Sequence, residues 1–270
     1  MNRTKIEWAD RTWNPVTGCR NGCPYCYARR IARRFGGASE TFNTEAGLEY
    51  DFVTEADGTL HDLSAPIYDT DHGRQAPFPY EFDPTLHEYR LDQPSKTKRP
   101  KNVFVCSMAD LFGPWIPDEW IRKVFEACEQ APQHKYMFLT KFPERVGELT
   151  HKGQLPTGDN YWWGSTITDN NSRRYPGCLG QKTYLSIEPL RERLDVGLGS
   201  FGSTDWIIIG AETGPKTRKG RPEKEWIDTI CDAAAITHTP VFMKNSLIEI
   251  MGEENMRREF PPELKEAQDE

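Results

Sequence analysis

From Lys101 onward the chain repeats one pattern: a short apolar run, a polar pair, then a stretch with helical character. The runs lie at 102–106, 136–140, 161–167, 183–187, 206–210 and 240–243. Two of the intervening stretches, 117–131 and 222–236, open with Pro117-Asp118-Glu119 and Pro222-Glu223. Proline and acids suit a first helical turn, where backbone N–H groups lack partners and the helix dipole is positive. Buried strands alternating with helices predict a mostly parallel sheet. Counting a first strand just before the cysteines at 19–26, the pattern predicts an α/β fold of six to seven β/α units. Such a chain forms a partial or complete barrel, and 270 residues accommodate one.

Polar residues follow the apolar runs with regularity. They are Ser107 and Asp110, Thr140 and Lys141, Ser165 and Thr166, Ser186 and Glu188, Glu212 and Thr213, and Lys244 and Asn245. One such pair alone reads as a turn or a helix cap. Six in succession, all at the C-terminal ends of parallel strands, predict a polar cavity mouth, because α/β barrels build their sites at that end.

Upstream of the repeat, Ala28, Ile31, Ala32 and Phe35 recur at helical spacing, and Gly36-Gly37 end the segment, so 27–35 is predicted as a helix. Residues 38–100, rich in Asp, Gly, Pro and His, read as an irregular insertion. Residues 1–250 are then one domain, followed by an acidic tail over 251–270.

Three of the seven cysteines, Cys19, Cys23 and Cys26, fall within eight positions among Gly, Asn, Arg and Pro. Spacing this tight lets one loop wrap an inorganic centre. A [4Fe–4S] cube takes a thiolate on each iron, so three cysteines leave one iron open to a cofactor or substrate. Zinc is the competing reading, but it normally takes two close pairs of ligands. No second pair exists, although His61, His72 or His87 would complete a three-cysteine, one-histidine site. Cys106 lies at a strand end beside the predicted mouth and is a candidate catalytic residue, whereas Cys178 lies in a turn. Isolated cysteines more often behave as small apolar groups.

A formal charge of −7 argues against a protein coated in nucleic acid, yet the charge is unevenly placed. Arg29, Arg30, Arg33 and Arg34 crowd the first helix, and further basic groups gather at 96–101 and 216–224. A local basic face on an acidic protein suits a phosphate backbone. No apolar run reaches the ~18 residues of a membrane span, and the N-terminus has no signal-peptide character. The chain is expected to be cytoplasmic, where clustered cysteines point to metal before disulfides.

Three cysteines spaced three and then two residues apart, with aromatic Tyr25 just before the third, resemble the motif of the radical S-adenosylmethionine superfamily. The wider chain resembles a phage-associated family of three-cysteine radical enzymes. That likeness runs through Thr4-Lys5-Ile6-Glu7-Trp8, Thr12-Trp13-Asn14-Pro15, Phe104–Phe112, Leu139–Val146, Ser186-Ile187-Glu188-Pro189-Leu190 and Ile209–Gly214. The resemblance implies a [4Fe–4S] cluster on Cys19, Cys23 and Cys26, with S-adenosyl-L-methionine on the open iron. Reduction of that pair would give a 5′-deoxyadenosyl radical, and flavodoxin or ferredoxin would be the electron donor.

The superfamily's Gly-Gly-Glu after the second strand is replaced here by Ser107-Met108-Ala109-Asp110. By resemblance, Tyr25, Ser107, Asp110, Ser165 and Thr166 face the cofactor, and Glu188, Glu212, Lys244 and Cys106 face the substrate. The phage setting, the basic helix and Trp8, Trp13, Trp162 and Trp163 favour a base presented from DNA, with the tryptophans stacking on it. The expected reaction is isomerisation of an amino-acid adduct on thymidine. Photoproduct repair, tRNA or peptide modification, and a zinc-stapled nucleic-acid module are the alternatives.

Overall fold

The structure is a computed structural model, and it describes residues 1–36, 52–55, 58–69, 73–197, 199–213 and 221–265. Seven parallel strands form its frame: β1 (Arg11–Trp13), β2 (Asn102–Val105), β3 (Lys135–Thr140), β4 (Tyr161–Thr166), β5 (Lys182–Ile187), β6 (Trp206–Ile209) and β7 (Val241–Met243). They pair in sequence order, and Asn2–Arg3 adds an antiparallel strand beside β1. Each expected apolar run is a strand, with ends within one or two residues of the expectation.

The sheet is open rather than a closed barrel, since β1 and β7 do not pair. An open sheet leaves unpaired backbone groups at its edges, and both edges here are covered. Asn2–Arg3 covers β1. Residues 257–259 cover β7, where Met243 N–H donates to Arg257 O at 2.8 Å and Glu259 N–H donates to Val241 O at 3.0 Å. The described part of the expected acidic tail, as far as Lys265, is held against the sheet. Leu264 is fully buried, and its carbonyl accepts from Asn102 Nδ2 at 2.7 Å.

Side chains alternate across each strand, and the sequence uses both faces. Outward residues Val103, Val105, Phe138 and Trp163 pack against α2 (Asp118–Glu129) and α3 (Pro143–His151). Leu185, Ile207, Ile209 and Val241 pack against α4 (Lys224–Ile236). Ile227 and Ile230 of α4 are fully buried, and each such side chain contributes about 1.5–3 kcal/mol. Inward residues Phe104, Met137, Trp162, Tyr184, Trp206, Ile208 and Phe242 form a separate core closed by Trp8. The Trp8 ring lies 4.7 Å from that of Phe104 and 6.1 Å from that of Tyr184.

Helix α1 is Tyr27–Phe35, as expected, but only Ala28 and Ala32 of its four spaced apolar residues are buried. Ile31 and Phe35 are 38% and 57% exposed. The described part of the insertion is regular in places. Val16–Thr17, Thr85–His87, Gly58–Leu63 and Phe52–Glu55 form a second, four-stranded sheet. Its short strands come from distant parts of the chain, so no local periodicity announced them. Among the described residues no helix is long and apolar enough to cross a membrane.

Candidate active site

A cavity of about 620 Å³ opens where the C-terminal ends of the parallel strands meet the cysteine loop. All three clustered cysteines line it, and all are free thiols. The loop is held from below by backbone hydrogen bonds: Gly18 N–H donates to Met108 O at 2.9 Å, and Cys19 N–H to Phe82 O at 3.1 Å. Gly18 has a φ of +87°, and a Cβ there would lie 2.1 Å from the Asp83 carbonyl oxygen. Only glycine brings the strand this close to its neighbour.

Two of the sulfurs accept hydrogen bonds. Asn21 Nδ2 donates to Cys23 Sγ at 3.1 Å, and Arg29 N–H donates to Cys26 Sγ at 3.3 Å. Cys26 is thus the N-cap of α1, and its sulfur sits at the positive end of the helix dipole. Arg29 stacks on Phe82 and donates to the Cys19 carbonyl at 3.0 Å, closing the loop on itself. Burial pushes the Cys19 thiol up to about 12, with the nearby Asp110 charge adding to the shift. A metal at the site would offset that cost, because it binds the thiolate.

Three thiols on one loop are the donor type that holds an iron–sulfur cube, each thiolate on a different iron. Among the described residues no three Cys, His, Asp or Glu side chains converge on one ion position. His61 and His87 do not reach the cavity. His87 has Thr17 Oγ1 at 2.8 Å from Nε2 and Tyr89 OH at 3.0 Å from Nδ1, while His61 stacks on Tyr80 and faces Asp83. His72 lies outside the described residues.

Strand ends supply the opposite wall. Glu188 follows β5 and Lys244 follows β7, and their charged groups pair. Gly210, at the end of β6, lies between them, and a Cβ there would be 3.2 Å from both side chains. Thr166, Ser186 and Glu212 also line the cavity, and Glu212 makes no ion pair among the described residues. Ser107 lines it as well, its hydroxyl donating to Asn14 Oδ1 at 3.1 Å. Tyr25 lies between two cations, 5.4 Å from the Arg191 guanidinium and 5.7 Å from the Lys141 ammonium. Burial raises the Tyr25 phenol to about 12.

Asp110 reaches the cavity wall, but its oxygens are already engaged. It accepts from the Thr140 hydroxyl at 2.6 Å, from Lys141 N–H at 2.9 Å and from Phe112 N–H at 3.2 Å. Burial raises its pKa, and these three donors oppose the rise.

Two expected site residues are not brought to the cavity. Ser165 and Thr166 are adjacent in β4 and so face opposite ways. Thr166 points inward, while Ser165 Oγ accepts from Tyr175 N–H at 2.8 Å on the helix side. Cys106 turns away with a φ of +56° and packs in the outer core, where burial pushes its thiol up to about 12. The expected stacking tryptophans are core residues: Trp13, Trp162 and Trp163 are at most 2% exposed, and Trp8, which lines the cavity floor, is 2% exposed.

Residues that the strand-end pattern did not single out also line the cavity. Asn14 accepts from the Ser107 hydroxyl and from Met108 N–H at 3.0 Å. Tyr27 OH donates to the Ser107 carbonyl at 2.6 Å. Glu7 accepts from Asn245 N–H at 2.8 Å and from Arg258 at 3.1 Å, which ties the N-terminus to the strand end that carries Lys244. Their positions in the chain carried no periodic signal, and only the fold assembles them.

Residues 3–249 match a family described as a protein of unknown function (DUF5131). The chain belongs to that family. No curated protein sequence matches it. Among solved structures, "Spore photoproduct lyase complexed with dinucleoside spore photoproduct" is similar at 12% identity and a TM-score of 0.43, covering 99% of this chain and 73% of that one.

Proposed function

We propose that this chain is a radical S-adenosylmethionine enzyme whose [4Fe–4S] cluster is held by Cys19, Cys23 and Cys26. One observation carries the reading. Three free thiols at the spacing of that superfamily's motif line a single cavity, at the end of a parallel sheet where α/β folds place their sites. When bound, the cluster and S-adenosylmethionine supply a hydrogen-abstracting carbon radical. The protein supplies binding, orientation and exclusion of water. Tyr25, Ser107 and Thr166 are assigned to the cofactor, since they line the wall nearest the loop or the adjoining strand ends. Asp110 is assigned to holding the Thr140–Lys141 turn against the loop. Ile6, Trp8, Phe104 and Leu139 give the cavity an apolar floor that keeps water from a reactive intermediate.

Glu188, Glu212 and Lys244 are assigned to the substrate. Glu188 and Lys244 form a pair of opposite charges that can exchange partners with an ammonium and a carboxylate, the groups of an amino-acid adduct. That chemistry supports the finer reading, isomerisation of an amino-acid adduct on thymidine in DNA.

Anaerobic reconstitution with iron and sulfide, followed by reduction, tests the class. A cluster spectrum with 5′-deoxyadenosine formed from S-adenosylmethionine, both lost in Cys23→Ala, is the expected result. Zinc bound in place of a cluster would overturn it.

A further inference from the structure

The apolar residues of α1 are on its outside. Tyr27, Ile31 and Phe35 are 45%, 38% and 57% exposed. Spaced four apart, they share one face of the helix, a stripe about 12 Å long at 1.5 Å per residue. Arg30 and Arg34, also four apart, run beside it, and Arg33 lies beyond them. All three arginines are exposed, none pairs with a carboxylate among the described residues, and α1 contains no acid. Exposed apolar groups lined up in this way mark an interaction site, and the positive charge beside them defines its partner as anionic.

Position adds a direction. Tyr27, Arg30 and Ile31 also line the cavity, while Phe35 lies one turn beyond its rim. The stripe is therefore continuous with the mouth. The Tyr27 ring is fixed there by its hydroxyl on the Ser107 carbonyl, and the Arg34 guanidinium lies 5.3 Å from the Phe35 ring.

We propose that this face of α1 is a track for a single-stranded polynucleotide segment. Its bases stack on Phe35 and Tyr27, its phosphates lie along Arg30, Arg33 and Arg34, and one base is delivered into the cavity. This deepens the nucleic-acid reading above and rests on it. Rings beside cations recognise unstacked bases on a phosphate backbone, and a base must leave a duplex to enter an enclosed pocket. With the tryptophans buried, Phe35 and Tyr27 take over the stacking role expected of them.

The test is fluorescence anisotropy of the full chain, purified without added iron or S-adenosylmethionine, with a short fluorescein-labelled oligothymidylate. Because no cluster is needed, failure to bind would leave the radical class untouched, and an absent cluster would leave this result untouched. Three phosphate contacts predict a single-strand salt slope of about −2, or roughly a 20-fold loss of affinity between about 50 and 200 mM salt. Arg34→Gln lowers that slope by about 0.7. Phe35→Ala weakens binding by roughly tenfold, and Phe35→Trp restores it. Rescue by Phe35→Leu equal to that by Phe35→Trp would mark a plain apolar docking face and overturn stacking. So would a duplex bound as tightly as the single strand, or an affinity indifferent to salt.

Discussion

The carboxylate of Glu188 and the ammonium of Lys244 meet across the end of β6, above Gly210, joining two strands that are not neighbours in the sheet. Both side chains are partly open to the cavity, so the pair adds little to stability, about 1 kcal/mol at most. Lys244→Met is expected to move the urea midpoint only slightly and to reduce substrate turnover by more than about tenfold, the cost of one charged contact. Equal losses of turnover and of folding stability would show the pair to be merely structural.

Gly18 sets the height of the cysteine loop. Gly18→Ala places a methyl group against the Asp83 carbonyl at a backbone angle that alanine disfavours. Strain on the order of 2 kcal/mol or more is expected. Denaturant unfolding and iron content, measured together, check this: both fall if the loop must move, and retention of full iron content would contradict it.

Asp110→Asn should separate support from chemistry. The amide replaces one accepting oxygen with a donor, facing either Lys141 N–H or the Thr140–Phe112 pair of donors. A loss of about 1–3 kcal/mol is expected from the unmade bond, with the cluster spectrum kept. Cys106→Ala makes the complementary case. As a core residue facing the helices, Cys106 should be replaceable with the iron content unchanged.

His87 predicts a pH dependence. Burial, aided by Arg90, holds its pKa well below the usual 6.5. Between the two pKa values the unfolded chain binds a proton that the folded chain does not. Stability is therefore complete above about pH 6.5 and declines as the pH falls, by up to about 1.4 kcal/mol per unit for this group. His61 and His134 are shifted the same way by burial and steepen the decline. Urea midpoints measured across this range should show the loss, and His87→Gln should flatten it.

How much of this was legible before folding differs by element. The strands β2 to β7 and the helices α1, α2 and α4 follow from runs of apolar residues and from proline and acids at helix starts. These are local signals that any window of sequence carries. The cysteine spacing is local too, because one loop holds all three thiols. Period-two alternation in β4 also implied that Ser165 and Thr166 face opposite ways, but which one faces the cavity depends on which face the helices cover.

Other features needed the tertiary structure, for a physical reason. Whether the sheet closes depends on the pairing of β1 with β7, and their edges are instead taken by Asn2–Arg3 and residues 257–259. The second sheet joins Val16–Thr17 to Thr85–His87 across the insertion. A tryptophan reads the same in a sequence whether it lines a core or a groove, and so do Ile31 and Phe35 at helical spacing. The chain by itself determined the strands, the helices and the cysteine loop. Burial, a property of what packs against each residue, decided that the tryptophans lie inside and that the stripe on α1 faces out beside its arginines.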